Sequence, residues 1–231
     1  MDQLERVSES LQREVLEARM RPIGFLFERF ARTVRDLGRE LGKEVSLVAR
    51  GHDIELDRVI LDDISEPLLH LLRNAVSHGI EPAEARRRLG KPAEGTITLE
   101  ASREADRIVL EVRDDGGGID PERLREAAVR LGFADPERAQ GLAPQELMAL
   151  LFQPGFSTAR EASDVSGRGV GLNVVKARVE GLRGSVEVSS APPARGLASR
   201  SASRPRWPSW RLSWCGPAAR PSPSPWWTWP R

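Results

Sequence analysis

From Val188 to Arg231 the chain carries no Asp, no Glu and no Lys, only seven Arg, and all six Trp, the one Cys and nine of the 17 Pro lie past residue 190. A stretch of that makeup has no regular apolar face to bury, so a folded core is expected from the residues before it. Residues 1–187 hold 28 basic and 34 acidic side chains, a formal charge of −6, and a tail of +7 brings the whole 231-residue chain to +1. Neither part has the charge run of a nucleic-acid arm or an acidic tail. A single cysteine, Cys215, excludes an internal disulfide framework and a multi-cysteine metal site. No apolar run approaches the roughly 20 residues of a membrane-spanning helix. The opening Met1-Asp2-Gln3-Leu4-Glu5-Arg6 is not a signal-peptide start, so the expected location is the cytoplasm without membrane insertion.

Leu4, Val7, Leu11, Val15 and Ala18 recur at spacings of three and four among charged residues, which predicts an amphipathic helix over 2–20 that needs a partner. Pro22 opens a second helix whose stripe is Phe25, Leu26, Phe30, Val34 and Leu37, ending at Gly38. Val45 to Val48 and Ile54 to Leu56, separated by Gly51, read as a short antiparallel strand pair. A helix follows from Asp57 through Val59, Ile60, Ile64, Leu68, Leu71, Leu72 and Ala75 to the Gly79 stop, tolerating Pro67. A basic helix over Pro82 to Leu89, strands at Thr96–Ala101 and Ile108–Val112, short helices near 121–130 and 144–152, a helix ending at Gly181 and a strand at Ser185–Ser189 complete the pattern. Long helices alternating with antiparallel strands predict an α+β sandwich.

Three groups in this frame can carry chemistry. His70, Asn74 and His78 stand at i, i+4 and i+8 of one helix, stacked on a single stripe about 6 Å apart per step. An Asn amide oxygen is a neutral hard ligand that can share a magnesium ion with phosphate oxygens, and a neutral imidazole accepts a proton near pH 7. Asp114-x-Gly116-x-Gly118 directly follows a strand. A carboxylate there can accept from an exocyclic amine such as that of adenine, with glycines turning the backbone against a flat ring, although turns alone favour the same residues. Gly167-Arg168-Gly169-Val170-Gly171 opens a helix, where bare amides and the helix dipole form a phosphate cradle. A polar loop precedes it in place of a strand, which argues against a Rossmann fingerprint, and no Lys-Ser/Thr follows as in a Walker loop.

In order, the Asn-bearing helix, Asp-x-Gly-x-Gly, the double-Phe segment Leu151 to Thr158 and Gly-x-Gly-x-Gly resemble the N box, first glycine box, F box and second glycine box of the histidine-kinase/Hsp90-type ATPase superfamily. The blocks Arg19-Met20-Arg21-Pro22-Ile23, Glu55-Leu56-Asp57-Arg58, Pro67 to Asn74, His78-Gly79-Ile80-Glu81 and Ser166 to Gly171 are similar to the chemotaxis histidine kinase CheA family over about residues 1–190. The resemblance implies a two-layer α/β sandwich of the Bergerat type. It divides the chain into part of a helical dimerisation domain (1–21), an ATP-binding kinase domain (22–191) and a tail (192–231).

By the same resemblance, Asn74 coordinates Mg2+, His70 is the general base and His78 lies near the γ-phosphate of ATP. Asp114 binds the adenine amine, Gly116 and Gly118 line the base pocket, and Gly167, Gly169 and Gly171 cradle the phosphates beneath a lid of about residues 133–170. The implied reaction transfers the γ-phosphoryl to a histidine of a separate phosphotransfer domain. Response regulators act downstream, a coupling protein and chemoreceptors act in the intact family member, and residues 1–21 form a homodimer. The alternative is a nucleotide-binding module without turnover. Ser77 stands where the family usually has Asp, Ala31 where it often has Pro, and Asn173 where Asp is common; none of these removes a box residue.

The tail reads as a GC-rich coding sequence translated out of frame after about residue 192, since a shifted frame lets residues 201–214 spell a run such as LRLPPPVAVLEALV. On that reading the sheet lacks its last strand and the tail is disordered; a Trp/Pro-rich segment binding some partner is the alternative.

Overall fold

The computed structural model describes residues 2–105, 107–156, 171–190 and 209–214. Helix α1 (Asp2–Arg19) leads through the short strand β1 (Met20–Pro22) into α2 (Gly24–Glu40), β2 (Val45–Arg50) and β3 (Glu55–Asp57). Next come α3 (Arg58–Asn74), a π-helical turn (Ala75–Gly79), α4 (Ala83–Arg88) and the long strands β4 (Gly95–Glu104) and β5 (Arg107–Asp114). Helices α5 (Pro121–Arg130), α6 (Pro136–Gly141), α7 (Pro144–Leu150) and α8 (Leu172–Gly181) precede β6 (Gly184–Ser189) and β7 (Ser209–Trp214). The short α6 has too little apolar periodicity to be anticipated.

The helices form where their stripes and caps direct. Helix α2 buries Leu26, Phe27, Phe30, Val34 and Gly38, at positions three and four apart. Asp57 ends β3 and caps α3 at once, its carboxylate accepting from the Val59 amide at 2.8 Å. Helix α3 accommodates Pro67 and buries it together with Leu61, Ile64, Leu68, Leu71 and Leu72. Helix α5 starts on Asp120, which accepts from the Glu122 amide at 3.0 Å, with Pro121 in the first turn.

Five strands form a mixed sheet in the order β2-β4-β5-β7-β6, with β2 parallel to β4 and every other pair antiparallel. One face, carrying Ile97, Leu99, Leu110, Val112 and Leu212, shares a single core with residues of α2, α3 and α8. This is the expected two-layer α+β sandwich. A smaller cluster of Leu124, Leu147 and Met148 holds α5 and α7 together beside it. Val7, Leu11 and Val15 of α1 remain 52%, 56% and 58% exposed in the single chain.

Pro22 ends β1 instead of opening α2, and Phe25 is 74% exposed, its place on the buried stripe taken by Phe27. Two larger expectations are corrected. Residues 45–48 and 54–56 do not pair with one another: β2 lies parallel to β4, Val45 opposite Gly95, and β3 pairs antiparallel with β1, Leu56 opposite Arg21. Gly51, at φ 76°, causes the separation, because it turns the chain over β4 so closely that a Cβ there would lie 2.0 Å from the Ala101 carbonyl. Parallel pairing of β2 with β4 then needs a long crossover, which α3 supplies.

The second correction concerns the tail. Ser209–Trp214 is neither disordered nor missing from the sheet: it is the strand between β5 and β6, with Leu212 opposite both Leu110 and Val186. Trp210 is 6% and Leu212 0% exposed. Ser-Trp-Arg-Leu-Ser-Trp alternates polar and apolar residues with the period of a strand, a local pattern hidden by the average over the tail. The rest of 192–231 lies outside the described residues, apart from this strand.

Leu212→Ala should therefore cost about 2–5 kcal/mol and Trp210→Ala about 3–5 kcal/mol of unfolding free energy. Urea unfolding followed by far-ultraviolet circular dichroism measures both; unchanged midpoints would remove this strand from the core.

Candidate functional site

Asn74 is the last residue of α3, and the backbone then widens into the π turn, closed by the Ile80 amide donating to the Ala75 carbonyl at 2.8 Å. Such a turn advances by fewer degrees per residue than an α-helix, so His78 is offset from the line through His70 and Asn74. His70 and Asn74 are half-buried and His78 is exposed. The protein around His70 holds its imidazole below the usual range through burial and then the Arg73 charge, opposed by Glu66. Desolvation, followed by the Lys43 ammonium, does the same for His78. Both imidazoles are neutral at pH 7 and can accept a proton.

The turn is clamped by a cation that has no motif around it. Lys43, in the loop before β2, points its ammonium at the carbonyls of Val76, Ser77 and Ile80, donating to each at 2.8 Å. These are the C-terminal carbonyls that a helix leaves without partners. Burial lowers the Lys43 pKa, with Glu81 opposing.

The end of the turn meets the end of β5. The Gly117 amide donates to the Gly79 carbonyl at 3.1 Å. A Cβ on Gly116 would sit 2.0 Å from that same carbonyl, and one on Gly79 would sit 2.9 Å from the Asp114 carboxyl carbon. Two glycines are thus required for the Asn-bearing element and the Asp-Gly loop to touch at all. Asp114, 4% exposed, accepts from the Gly116 amide at 3.0 Å. Burial pushes its carboxyl up to about 6, the Gly116 amide pulls it down, the charges of Asp115 and Glu81 raise it and that of Lys91 lowers it. Gly118 adopts φ 78°, a left-handed conformation that glycine takes without strain. The sequence pattern identified Asp114, Gly116 and Gly118; it read Gly79 only as a helix stop.

Around this loop lies an ionic cluster, built on a buried arginine, that sequence reasoning missed altogether. Arg86 is 0% exposed and bonds Glu81 at 3.1 Å and the Asp115 carboxylate at 2.8 Å. Lys91 donates to Glu81 and to the Gly116 carbonyl, each at 2.8 Å. The only sequence hint is that Glu81 and Lys91 flank a short helix bearing three consecutive arginines.

Of the remaining expected residues, Gly171 is described. Gly171 is the N-cap position of α8, with φ −88°, and its carbonyl accepts from the Val174 amide at 3.0 Å. Gly167 and Gly169 lie outside the described residues, as do residues 157–170 of the expected lid. The two Phe of the double-Phe segment part company. Phe152 meets Trp210 edge to face at 6.1 Å, whereas Phe156 meets Phe133 at 5.4 Å. The segment after α7 is therefore tied to β7 through Phe152.

Set against known proteins, residues 63–201 match the family described as histidine kinase-, DNA gyrase B-, and HSP90-like ATPase. The chain belongs to that ATPase family. ATP is accordingly the ligand that this ATPase domain serves. It is 47% identical over 184 residues to the sensor histidine kinase CheAY of Helicobacter pylori, a match covering 80% of this chain and 23% of that protein. To the chemotaxis protein CheA of Halobacterium salinarum it is 48% identical over 192 residues, covering 83% of this chain and 29% of that one. These relatives bear out the resemblance to the CheA family, and the chain spans about a quarter of their length. In structure the ATPase domain is similar to the mycobacterial sensor histidine kinase MprB, with a TM-score of 0.50 at 17% identity, covering 85% of this chain and 96% of that chain, a likeness of fold. No helix among the described residues is long and apolar enough to cross a membrane.

The raised Asp114 pKa makes a signed prediction. The folded chain holds this proton more tightly than the unfolded chain, whose carboxyl titrates near 3.8. The residue's contribution to stability is thus greatest below that value and is lost as pH rises through about 6. Asp114→Asn removes the buried charge and should stabilise the ligand-free protein at pH 8 by an amount on the order of 3 kcal/mol, a gain that vanishes toward pH 4. Thermal unfolding of both proteins across that range measures the difference. In a second test, Gly116→Ala should abolish nucleotide binding in a titration with a fluorescent ATP analogue, because its Cβ has no room against Gly79.

Proposed function

We propose that this chain is the ATP-binding part of a chemotaxis-type histidine protein kinase, which transfers the γ-phosphoryl of ATP to a histidine on a separate phosphotransfer domain. The observation that supports this reading is the close approach of Gly79 to Gly116 and Gly117, which joins the turn after the half-buried Asn74 to the loop after the buried carboxylate of Asp114. Asp114 would accept from the adenine amine, and Gly116 and Gly118 leave the backbone bare for a flat ring. Gly171, the N-cap of α8, and Gly167 and Gly169 ahead of it in the sequence would supply amides to the phosphates.

Asn74 fits a Mg2+ ligand: its amide oxygen is neutral and hard, and the residue is half-buried at the end of α3. Among the described residues no group of three or more His, Cys, Asp or Glu could hold a metal. A single Asn oxygen suits an ion held mainly by phosphate oxygens with one protein ligand. The ion would neutralise charge on the transferring phosphoryl group. His70 would take the proton that the acceptor imidazole loses as it attacks phosphorus, and His78 would stand near the γ-phosphate. The products are phosphohistidine and ADP. The names of the relatives support chemotaxis signalling as the context, with response regulators as the next phosphoryl acceptors. The exposed stripe of Val7, Leu11 and Val15 supports a homodimer through residues 1–21.

Incubation with γ-labelled ATP, Mg2+ and a phosphotransfer domain of a CheA relative should label that domain. Asn74→Ala should lower the rate at least about 100-fold, and His70→Gln by about 10²–10⁴. Nucleotide binding without any transfer would leave a binding module in place of a kinase. Because His70 and His78 titrate below 6.5, kcat should hold between pH 8 and 6.5 and fall only in more acid solution. The titration of Asp114 should appear instead as a rise in KM for ATP below about 6.

A further inference from the structure

We infer that Arg86 is a positioning residue for nucleotide selection, fixing the Asp114 carboxylate so that it takes a hydrogen bond from the adenine amine. The inference rests on the proposed reading of Asp114 and extends it to a residue outside every motif.

Three consecutive arginines, Arg86, Arg87 and Arg88, end the six-residue helix α4; the last two are exposed, while Arg86 is 0% exposed. A guanidinium offers five N–H groups in a fixed plane. Arg86 spends all of them: Nε donates to the Pro92 carbonyl at 2.7 Å, Nη1 to Glu81 at 3.1 Å and to the Asp115 carbonyl at 3.2 Å, and Nη2 to the Glu94 carbonyl at 3.3 Å and the Asp115 carboxylate at 2.8 Å.

The path from this fork to Asp114 is short and covalent. Asp115 is held on three sides, since its second carboxylate oxygen accepts from the Thr96 amide at 2.9 Å and its own amide donates to the Thr96 carbonyl at 3.1 Å. Lys91 adds bonds to the carbonyls of Asp115 at 3.0 Å and Gly116 at 2.8 Å. With residues 115 and 116 fixed, the Gly116 amide stands at 3.0 Å from one oxygen of Asp114 and sets the plane of that carboxylate. Glu81, pinned by Arg86 and Lys91 together, continues directly from the π turn that ends in Gly79 and Ile80. The cationic pair thereby locks both edges of the proposed base site to each other. A lysine at position 86 retains the charge but cannot form this fork, so the carboxylate plane is released.

The test compares ATP with purine riboside triphosphate, which keeps the ring and the phosphates but lacks the exocyclic amine. Calorimetric titration of the whole chain should show a preference for ATP, and Asp114→Ala should remove it. In Arg86→Lys, ATP affinity should fall about tenfold or more while affinity for the amine-free analogue stays within about twofold. Lys91→Met, on the rim of the cluster, should show a smaller shift of the same kind. A merely structural role would weaken both ligands by one factor; equal losses in Arg86→Lys and Lys91→Met would overturn the inference. If Arg86→Lys does not fold, Lys91→Met and Asp115→Asn decide by the same ratio. Retention of the ATP preference in Asp114→Ala would instead remove the reading of Asp114 itself, and so separates the two failures.

Discussion

The close approach of Gly79 and Gly116 is the constraint on which the site depends. One glycine ends the turn after α3 and the other lies just past β5; a Cβ on Gly116 would press on the Gly79 carbonyl at 2.0 Å, the carbonyl that accepts from the Gly117 amide, and one on Gly79 would meet the Asp114 carboxyl at 2.9 Å. The contact brings a helix from one layer of the sandwich against a strand end from the other. Two of the proposed site residues, Asn74 and Asp114, flank it in the chain. Asn74 lies one turn before it, Asp114 borders it, and the buried Arg86 with its partly buried partners Glu81, Lys91 and Asp115 stands around it. Burying such charges is costly unless each is paired. Here the pairing is nearly closed, and backbone carbonyls take the remaining donors of Arg86 and Lys91.

Much of this was legible in the sequence because it rests on local periodicity and on motifs with a fixed spacing. The stripes of α2 and α3, the cap at Asp57 and the Asp-x-Gly-x-Gly turn each announce themselves within a few neighbouring residues. Lys43 and Arg86 do not. Their partners are mostly carbonyls, which every residue possesses, and those of Lys43 lie 33 to 37 positions away in the chain. Strand partners are illegible for a similar reason. Val45 to Arg50 is a sound strand sequence, yet nothing within it distinguishes an antiparallel neighbour ten residues on from a parallel one nearly fifty residues on.

The tail teaches the opposite lesson about averaging. Over 40 residues the absence of acids and the abundance of Trp, Pro and Arg argue against folded structure, but six of those residues alternate cleanly. Whatever reading frame supplied them, Trp210 and Leu212 present apolar side chains at the period a half-buried strand requires. Composition describes what most of a segment does; a strand needs only a small part of it. The edge-to-face contact of Trp210 with Phe152 then joins this strand to the segment that follows α7, so the tail takes part in the frame of the site.

The strand order β5-β7-β6 also has a temporal meaning. Among the described residues strand β6 has no partner in the sheet except β7, which arrives after an intervening connection of 19 residues, 190–208. On a growing chain, β2, β4 and β5 can assemble as soon as they emerge from the ribosome, while β6 must wait for residues that have yet to be synthesised. The last strand closes the gap from the inside, and until it does the nascent domain presents the open flank of β5, where a chaperone or a second copy could bind.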